Sequence, residues 1–490
     1  MKRSFSFVAL CALAIASCSS ASAEQPEAGA KAETSENDVL SESERRTVVL
    51  DEEGGETGEE PDEFAPAPDL VDGPAPARAS APEPALDVEP ESEPIGRRIA
   101  RQQLTVYAKP TSDAPIRGRI PMAAAFDVHG YVEGPGCEGE LGWADLGHHG
   151  YACMTNTRKG DGANAYALPK MRAQLTPFFY AKAKANDPAP IFKNLRAARN
   201  GDAPVGTMKK GVDYAFKIRR RVDGQVYLID GNRRAVREKD VRRFQPSRFE
   251  GRDLEAEPVP EGKVLAWASN WPEAAAYSRA SQDSELAAQV GYHEQLLLEP
   301  ADTDGWYKLS SGAFISASDV RVFAAPTERP PEVGAGDIWI DVDLEQQVLS
   351  VMLGDEAIFA TMVSSGLKSP TPRGLFRIRN KLAVGSMSSS PGADDFYDVQ
   401  AVPHVQYFLG SFALHSAYWH NGFGRPISHG CVNLSPKDAQ RVFSLTTPKL
   451  PAGWIHGYES TEHLGTTVRI HKGDQPVRDR RKEVDPVYGI

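Results

Sequence analysis

From residue 98 onward the chain is written in short apolar runs broken by turn residues, the pattern of β-strands. Leu104-Thr105-Val106-Tyr107, Ala125-Phe126-Asp127-Val128 and Gly150-Tyr151-Ala152-Cys153 are the first such runs. The pattern returns over 336–472. There Ile338, Ile340 and Val342 recur at period two, Val348 to Leu353 is an apolar run, and Gly374-Leu375-Phe376-Arg377-Ile378 alternates imperfectly. Val468-Arg469-Ile470 makes a closing strand. One helix stands out. Ser435 suits the N-cap, Pro436 the first helical position and Asp438 the positive end of the helix dipole. Ala439, Val442 and Phe443 then form a core-facing stripe through about Thr446. The expected fold is mainly β with this one prominent helix.

Part of the pattern repeats. Gly142-Trp143-Ala144-Asp145-Leu146 resembles Gly305-Trp306-Tyr307-Lys308-Leu309. Lys239-Asp240-Val241-Arg242-Arg243-Phe244 shares its Asp, Val, Arg and Phe with Ser318-Asp319-Val320-Arg321-Val322-Phe323. These repeats predict three small β-barrel modules over 98–157, 172–248 and 260–324. They resemble bacterial SH3-like domains, a family often attached to cell-wall enzymes. The second departs furthest, with Val226 in the place of the Trp. Such modules either bind a wall ligand or serve only as spacers.

The amino terminus reads differently. Lys2 and Arg3 precede an apolar stretch, Phe5 to Ala16, that is too short to span a membrane as a stable anchor. This is the pattern of a secretory signal over 1–23. Ala21-Ser22-Ala23 fits ordinary cleavage before Glu24. Ile15-Ala16-Ser17-Cys18 resembles the lipobox, in which Cys18 is lipidated and becomes the new N-terminus. The expected location is therefore the bacterial cell envelope, on the periplasmic side, with a membrane lipid anchor if Cys18 is modified.

Charge sharpens the organisation. The 490 residues carry a formal net charge of −12, from 55 Lys+Arg and 67 Asp+Glu. Residues 24–96 alone hold 22 Asp/Glu and 4 Lys/Arg, a local −18, so the rest of the chain is +6. An acidic, Pro/Ala/Glu-rich stretch over 24–97 cannot bury enough apolar area to offset its ordering entropy. It is expected to be a disordered linker spanning roughly 45–50 Å as a flexible coil; an acidic tail for a basic partner is the other reading. No nucleic-acid partner is expected, since the overall balance of −12 argues against a general phosphate binder. The charged end, 473–490, is expected to be solvated.

Of five cysteines, Cys137 and Cys153 lie 16 positions apart in one strand-like, Gly-rich segment, a disulfide candidate, though two unpaired thiols would share that spacing. Cys11 and Cys18 belong to the signal. That leaves Cys431 as an odd thiol, in the stretch His415-Ser416-Ala417-Tyr418-Trp419-His420-Asn421-Gly422-Phe423-Gly424-Arg425-Pro426-Ile427-Ser428-His429-Gly430-Cys431-Val432-Asn433. A reactive thiol needs a nearby base or positive field, which His415 and His429 can supply. Gly430 permits close backbone approach, and the N–H groups around Gly430 and Cys431 could stabilise an oxyanion. Two other readings exist. Cys431 could be a buried structural thiol, or His404, His415, His420, His429 and Cys431 could bind a metal, although their spacings fit no closed zinc pattern.

Ser428-His429-Gly430-Cys431-Val432-Asn433, behind His415, resembles the signature of the L,D-transpeptidase (YkuD-like) catalytic domain of bacterial cell-wall enzymes. Ser369-Pro370-Thr371-Pro372-Arg373-Gly374-Leu375-Phe376 resembles that family's Thr-Pro-x-Gly-x-Phe turn. The resemblance covers about 336–472. It implies Cys431 as nucleophile, His415 as general base, Ser416 holding the His415 ring, His429 and Gly430 shaping the oxyanion site, and Asn433 buttressing the turn. Trp419, Ser428, Arg425 and Asn433 are implied to contact substrate, and His420 is a rival base. The implied reaction is attack on a peptidoglycan stem peptide, loss of D-Ala, a thioester, and a 3–3 cross-link to a neighbouring stem. Carbapenem-type β-lactams would acylate the same thiol. No metal or organic cofactor is implied. The same acyl-enzyme could instead pass to water, a D-amino acid or a protein lysine, or the chain could be a non-catalytic wall-binding protein.

Overall fold

The computed structural model describes residues 93–160, 175–184, 187–368, 370–389, 396–451, 453–461 and 463–483. The expected signal with Cys18, and the linker up to residue 92, lie outside the described residues. The fold is mainly β.

The segment from 338 carries the strands β1 (Ile338–Asp343), β2 (Val348–Leu353), β3 (Glu356–Met362), β4 (Gly374–Arg377), β5 (Asn380–Ser388), β6 (Asp398–Leu409), β7 (Phe412–Ser416) and β8 (Val432–Leu434). Helix α1 (Pro436–Leu445) follows, then β9 (His456–Tyr458) and β10 (Thr467–His471). The antiparallel run β3-β2-β1 continues through β10, parallel to β1, to β4. Its period-two residues Ile340, Val342, Leu349, Val351, Val468 and Ile470 turn to one core with Leu414, Val432, Leu434 and the α1 residues Ala439 and Val442. The alternate residues Val348, Ala360 and Met362 turn the other way, onto Phe249, Leu265 and Trp267. Burial on both faces explains why β2 shows an apolar run instead of clean alternation.

Helix α1 forms where its capping residues require. Ser435 Oγ accepts from Asp438 N, and Pro436 occupies the first turn. Asp438 is itself buried. Its carboxylate accepts from Gly251 N (3.0 Å) and Thr361 Oγ1 (2.6 Å), and burial pushes its pKa up to about 6.

The sequence repeat is also a repeat in space. Tyr107 meets Trp143 edge-on at 5.6 Å, and Tyr277 meets Trp306 edge-on at 5.9 Å. Cys137 and Cys153 form a disulfide. Yet among the described residues no sheet closes into a barrel. Strand edges that a closed barrel would pair internally are paired with the C-terminal segment instead. Gly118 and Arg119 pair with Gly457 and His456 of β9. Val212 and Asp213 run parallel to Asp398 and Val399 of β6. Sharing strands satisfies the edge N–H and C=O groups as closure would, so the β-modules are not separate beads.

The charged end is largely exposed over the described residues 473–483, but it departs from its expected solvation around Arg481. Arg480 N donates to Leu375 O, and Leu375 N to Arg478 O, each at 2.9 Å, extending the sheet beside β4. Arg481 is buried, donating to Asp479 and to Pro331 O (2.7 Å). Backbone edge pairing and the buried Arg481 guanidinium hold part of a segment that composition alone would send to water.

Candidate active site

The site is built on two short parallel strands. In β7 and β8 Leu414 pairs with Val432, His415 with Asn433 and Ser416 with Leu434. Extending that register one step before β8 brings Cys431 over Ala413, and Cys431 packs in one apolar cluster with Ala413, Tyr418 and Trp419. Parallel pairing needs a crossover, and residues 417–431 provide it. The strand pairing thus gathers His415 and Cys431 from opposite ends of that segment.

The turn carrying Cys431 is tied from both sides. Ser428 Oγ donates to Cys431 O (2.6 Å) and accepts from Gly430 N (3.0 Å). Leu367 N donates to Ser428 O, and Ser428 N to Ser365 O. Gly430 sits at φ +145°, and a Cβ there would lie 2.6 Å from the Phe412 ring, so only glycine fits. Thr371, of the second motif, donates through Oγ1 to Gly430 O and accepts from Gly366 N, both at 2.8 Å. The sequence quoted Thr371 without a role. Its hydroxyl joins the two motifs.

His415 is buried, and its Nδ1–H donates to the Ser416 carbonyl at 3.1 Å. A carbonyl can only accept, so the proton sits on Nδ1 and the lone pair on Nε2. Burial lowers the His415 pKa to about 4, opposed by the Ser416 bond. Burial also pushes the Cys431 thiol up to about 11, against a backbone hydrogen bond at Ala413. The resting pair is therefore a neutral thiol and a neutral imidazole.

His420 differs. Its Nδ1 accepts from Gly422 N at 3.1 Å, and its Nε2 lies 2.9 Å from the Asn433 side-chain amide, so both ring nitrogens are engaged. Burial, then the neighbouring His415, lower its pKa to about 4. Asn433, expected against substrate, is buried and directs its amide inward to His420. The Gly430 amide is occupied by Ser428 Oγ and is not a spare oxyanion donor. His429 is exposed, with its ring stacked 4.7 Å from Tyr397. Trp419 is half-buried and stacks on His415 at 5.7 Å. Arg425 is exposed and lies over the Tyr292 ring at 5.3 Å, away from the Cys431 turn's own bonds. Among the described residues no group of three or more His, Cys, Asp or Glu is arranged to hold a metal ion.

A strand carrying a buried imidazole, paired beside a cysteine-bearing turn, invites comparison with known proteins. The L,D-transpeptidase catalytic domain (YkuD) model matches residues 337–476. Residues 337–476 form an L,D-transpeptidase catalytic domain. A curated relative, the putative L,D-transpeptidase YciB of Bacillus subtilis, is 27% identical over 127 residues, 23% of this chain and 63% of its own. The chain thus spans just under two thirds of that relative's length. Among solved structures, the catalytic domain of the Enterococcus faecium L,D-transpeptidase is 23% identical. It covers 28% of this chain and 98% of its own, at a TM-score of 0.22. The L,D-transpeptidase LdtMt1 in complex with imipenem is 16% identical, covering 50% and 91%, at 0.23. The residues that sequence reasoning missed around this L,D-transpeptidase domain are Thr371 and Arg321, each inside a motif already quoted but given no role at the site, and Tyr292 and His293, for which no motif gave a signal.

Proposed function

We propose that the chain is an exported peptidoglycan L,D-transpeptidase with Cys431 as nucleophile and His415 as base. The observation that carries this is the Nδ1–Ser416 bond, which leaves the His415 Nε2 lone pair available on the strand beside Cys431. His415 takes the thiol proton as Cys431 Sγ attacks the carbonyl of the third residue of a tetrapeptide stem. The carbonyl carbon forms a bond to sulfur, the C–N bond to D-Ala breaks, and the proton passes to the leaving amine. The Cys431 amide is the remaining donor for the oxyanion, since that of Gly430 is occupied. The side-chain amine of a neighbouring stem then attacks the thioester, the C–S bond breaks as the 3–3 amide forms, and a proton from that amine passes by way of His415 to the departing sulfur.

Incubating the purified protein with disaccharide-tetrapeptides and identifying the products by mass spectrometry tests this reading. A cross-linked dimer supports transfer. Tripeptide alone means hydrolysis, and no turnover by the wild type sinks the enzyme reading. Because a similar transpeptidase has been solved with imipenem, carbapenem-type β-lactams are proposed to acylate Cys431.

We further propose that the amino-terminal segment exports the chain to the periplasm, where lipidated Cys18 tethers it to a membrane. Lys2, Arg3, the apolar stretch to Ala16 and the Ala-Ser-Cys ending support this. Mass spectrometry of the mature N-terminus checks it: a free Glu24 amine would remove the anchor. The wall ligand of the SH3-like modules is likewise a proposal, resting on their resemblance alone.

A further inference from the structure

The segment joining His415 to Cys431 is held from outside the catalytic domain. Tyr292 and His293 occupy the turn between the strands Leu286–Gly291 and Gln295–Pro300 of the third β-module. The Tyr292 hydroxyl and His293 Nε2–H both donate to the Phe423 carbonyl, each at 3.1 Å. Arg321, on the closing strand Val320–Val322, donates through Nε to the Gly424 carbonyl at 2.7 Å. The Phe423 side chain is fully buried among Phe249, Leu265, Trp267 and Met362. Carbonyls withdrawn from water need donors, and here three come from one module.

The contact continues inward. The Phe423 ring lies 5.0 Å from that of His420, whose Nε2 meets the Asn433 amide, and Asn433 stands opposite His415 two residues beyond Cys431. Gly424 is pressed between Met362 and Arg321, where an added Cβ would lie 2.9 and 3.4 Å from them at φ +89°. The turn is seated from two sides: the module supplies the donors to the Phe423 and Gly424 carbonyls, while Gly424 N donates to Val363 O and Ser364 Oγ donates to Gly422 O.

We infer that Tyr292, His293 and Arg321 are positioning residues for acyl transfer, fixing the 420–424 turn and through His420 and Asn433 the strand pair that aligns His415 with Cys431. This rests on the function proposed above. It assigns the third module a part in the reaction beyond spacing or wall binding.

The test uses the full chain with Arg321→Met, with Tyr292→Phe/His293→Phe, and with Arg321→Lys, which retains a donor. Imipenem acylation of Cys431, followed by intact mass, yields a saturating rate and a half-saturation concentration. Iodoacetamide alkylation of Cys431 across pH is read in parallel, and thermal unfolding reports the folded state. The saturating rate is expected to fall about tenfold in the first two variants with half-saturation within about twofold, and to recover in Arg321→Lys. Wild-type saturating rates and alkylation profiles in both donor-less variants would overturn the inference. So would a loss that only tracks the folded fraction. If Arg321→Met does not fold, the Tyr292/His293 double variant and Arg321→Lys decide the matter. If wild type alkylates but is never acylated, the proposed function fails instead, and the alkylation profiles still decide the positioning role.

Discussion

The hydroxyl of Thr371 donates to the carbonyl of Gly430 at 2.8 Å, tying a turn before β4 to the residue that precedes Cys431. The same oxygen accepts from Gly366 N. One buried hydroxyl therefore fixes two backbone segments that are far apart in the chain. Thr371→Val keeps the shape but leaves that carbonyl and that amide without partners, a cost of about 1–3 kcal/mol. Cys431 acylation by imipenem is expected to slow in Thr371→Val and to recover in Thr371→Ser. An acylation time course equal to wild type in Thr371→Val would count against the tie.

Gly430→Ala meets two obstacles, the Phe412 ring and a φ of +145°. Phe412→Ala removes only the first. The double variant Gly430→Ala/Phe412→Ala is therefore expected to regain folding in thermal melts but little acylation. Full recovery of activity would show that the clash alone excluded a side chain.

A thiol pushed up to about 11 beside an imidazole lowered to about 4 is not an ion pair at neutral pH. Alkylation of Cys431 by iodoacetamide should then climb steadily from pH 7 to 9, without the flat profile of a preformed thiolate. His415→Ala is expected to abolish turnover. His420→Ala, which removes a ring with both nitrogens engaged, should lower turnover through misalignment while keeping the shape of the pH profile. A lost pH dependence of turnover in His420→Ala alone would transfer the role of base to His420.

Burial holds His404 and His415 near a pKa of about 4, and His456 near about 3. These folded values lie below the unfolded one, so the native state binds fewer protons in the window between them. The stability they contribute is fully present above about pH 6.5 and is lost as the pH falls toward 4. His404 and His415 alone would each cost about 2 kcal/mol at pH 5. Asp438 runs the other way. Its folded pKa of about 6 is raised, so its contribution is present at low pH and lost as pH rises through 6, which offsets about 1 kcal/mol between pH 7 and 5. Thermal melts should show a net drop in midpoint on acidifying from 7 to 5. A midpoint that holds or rises over that range would contradict the buried, neutral histidines.

Local signals and tertiary ones divide cleanly. The helix cap at Ser435, the period-two strands and the turn glycine at 430 depend on neighbours within a few positions, and these were legible from the residues. The link between His415 and the Cys431 motif came from the family resemblance, and the structure sets the strands that carry them side by side. Arg481 was misread, since its charge suggested solvation, and the edge of β4 and the Pro331 carbonyl supply the partners that hold its segment.

By itself, then, the sequence determined the strand-rich character, the internal repeat and the helix after β8, and it singled out Cys431 and His415 as the candidate thiol and base. Only the tertiary structure decided which imidazole nitrogen carries the proton, that Gly430 lends its amide to Ser428, and that Tyr292, His293 and Arg321 reach across to the 420–424 turn. The reason is physical. Periodicity and capping act over one or two turns of chain, whereas a hydrogen bond between residues more than a hundred positions apart, such as Arg321 to Gly424, is specified by packing that no local pattern encodes.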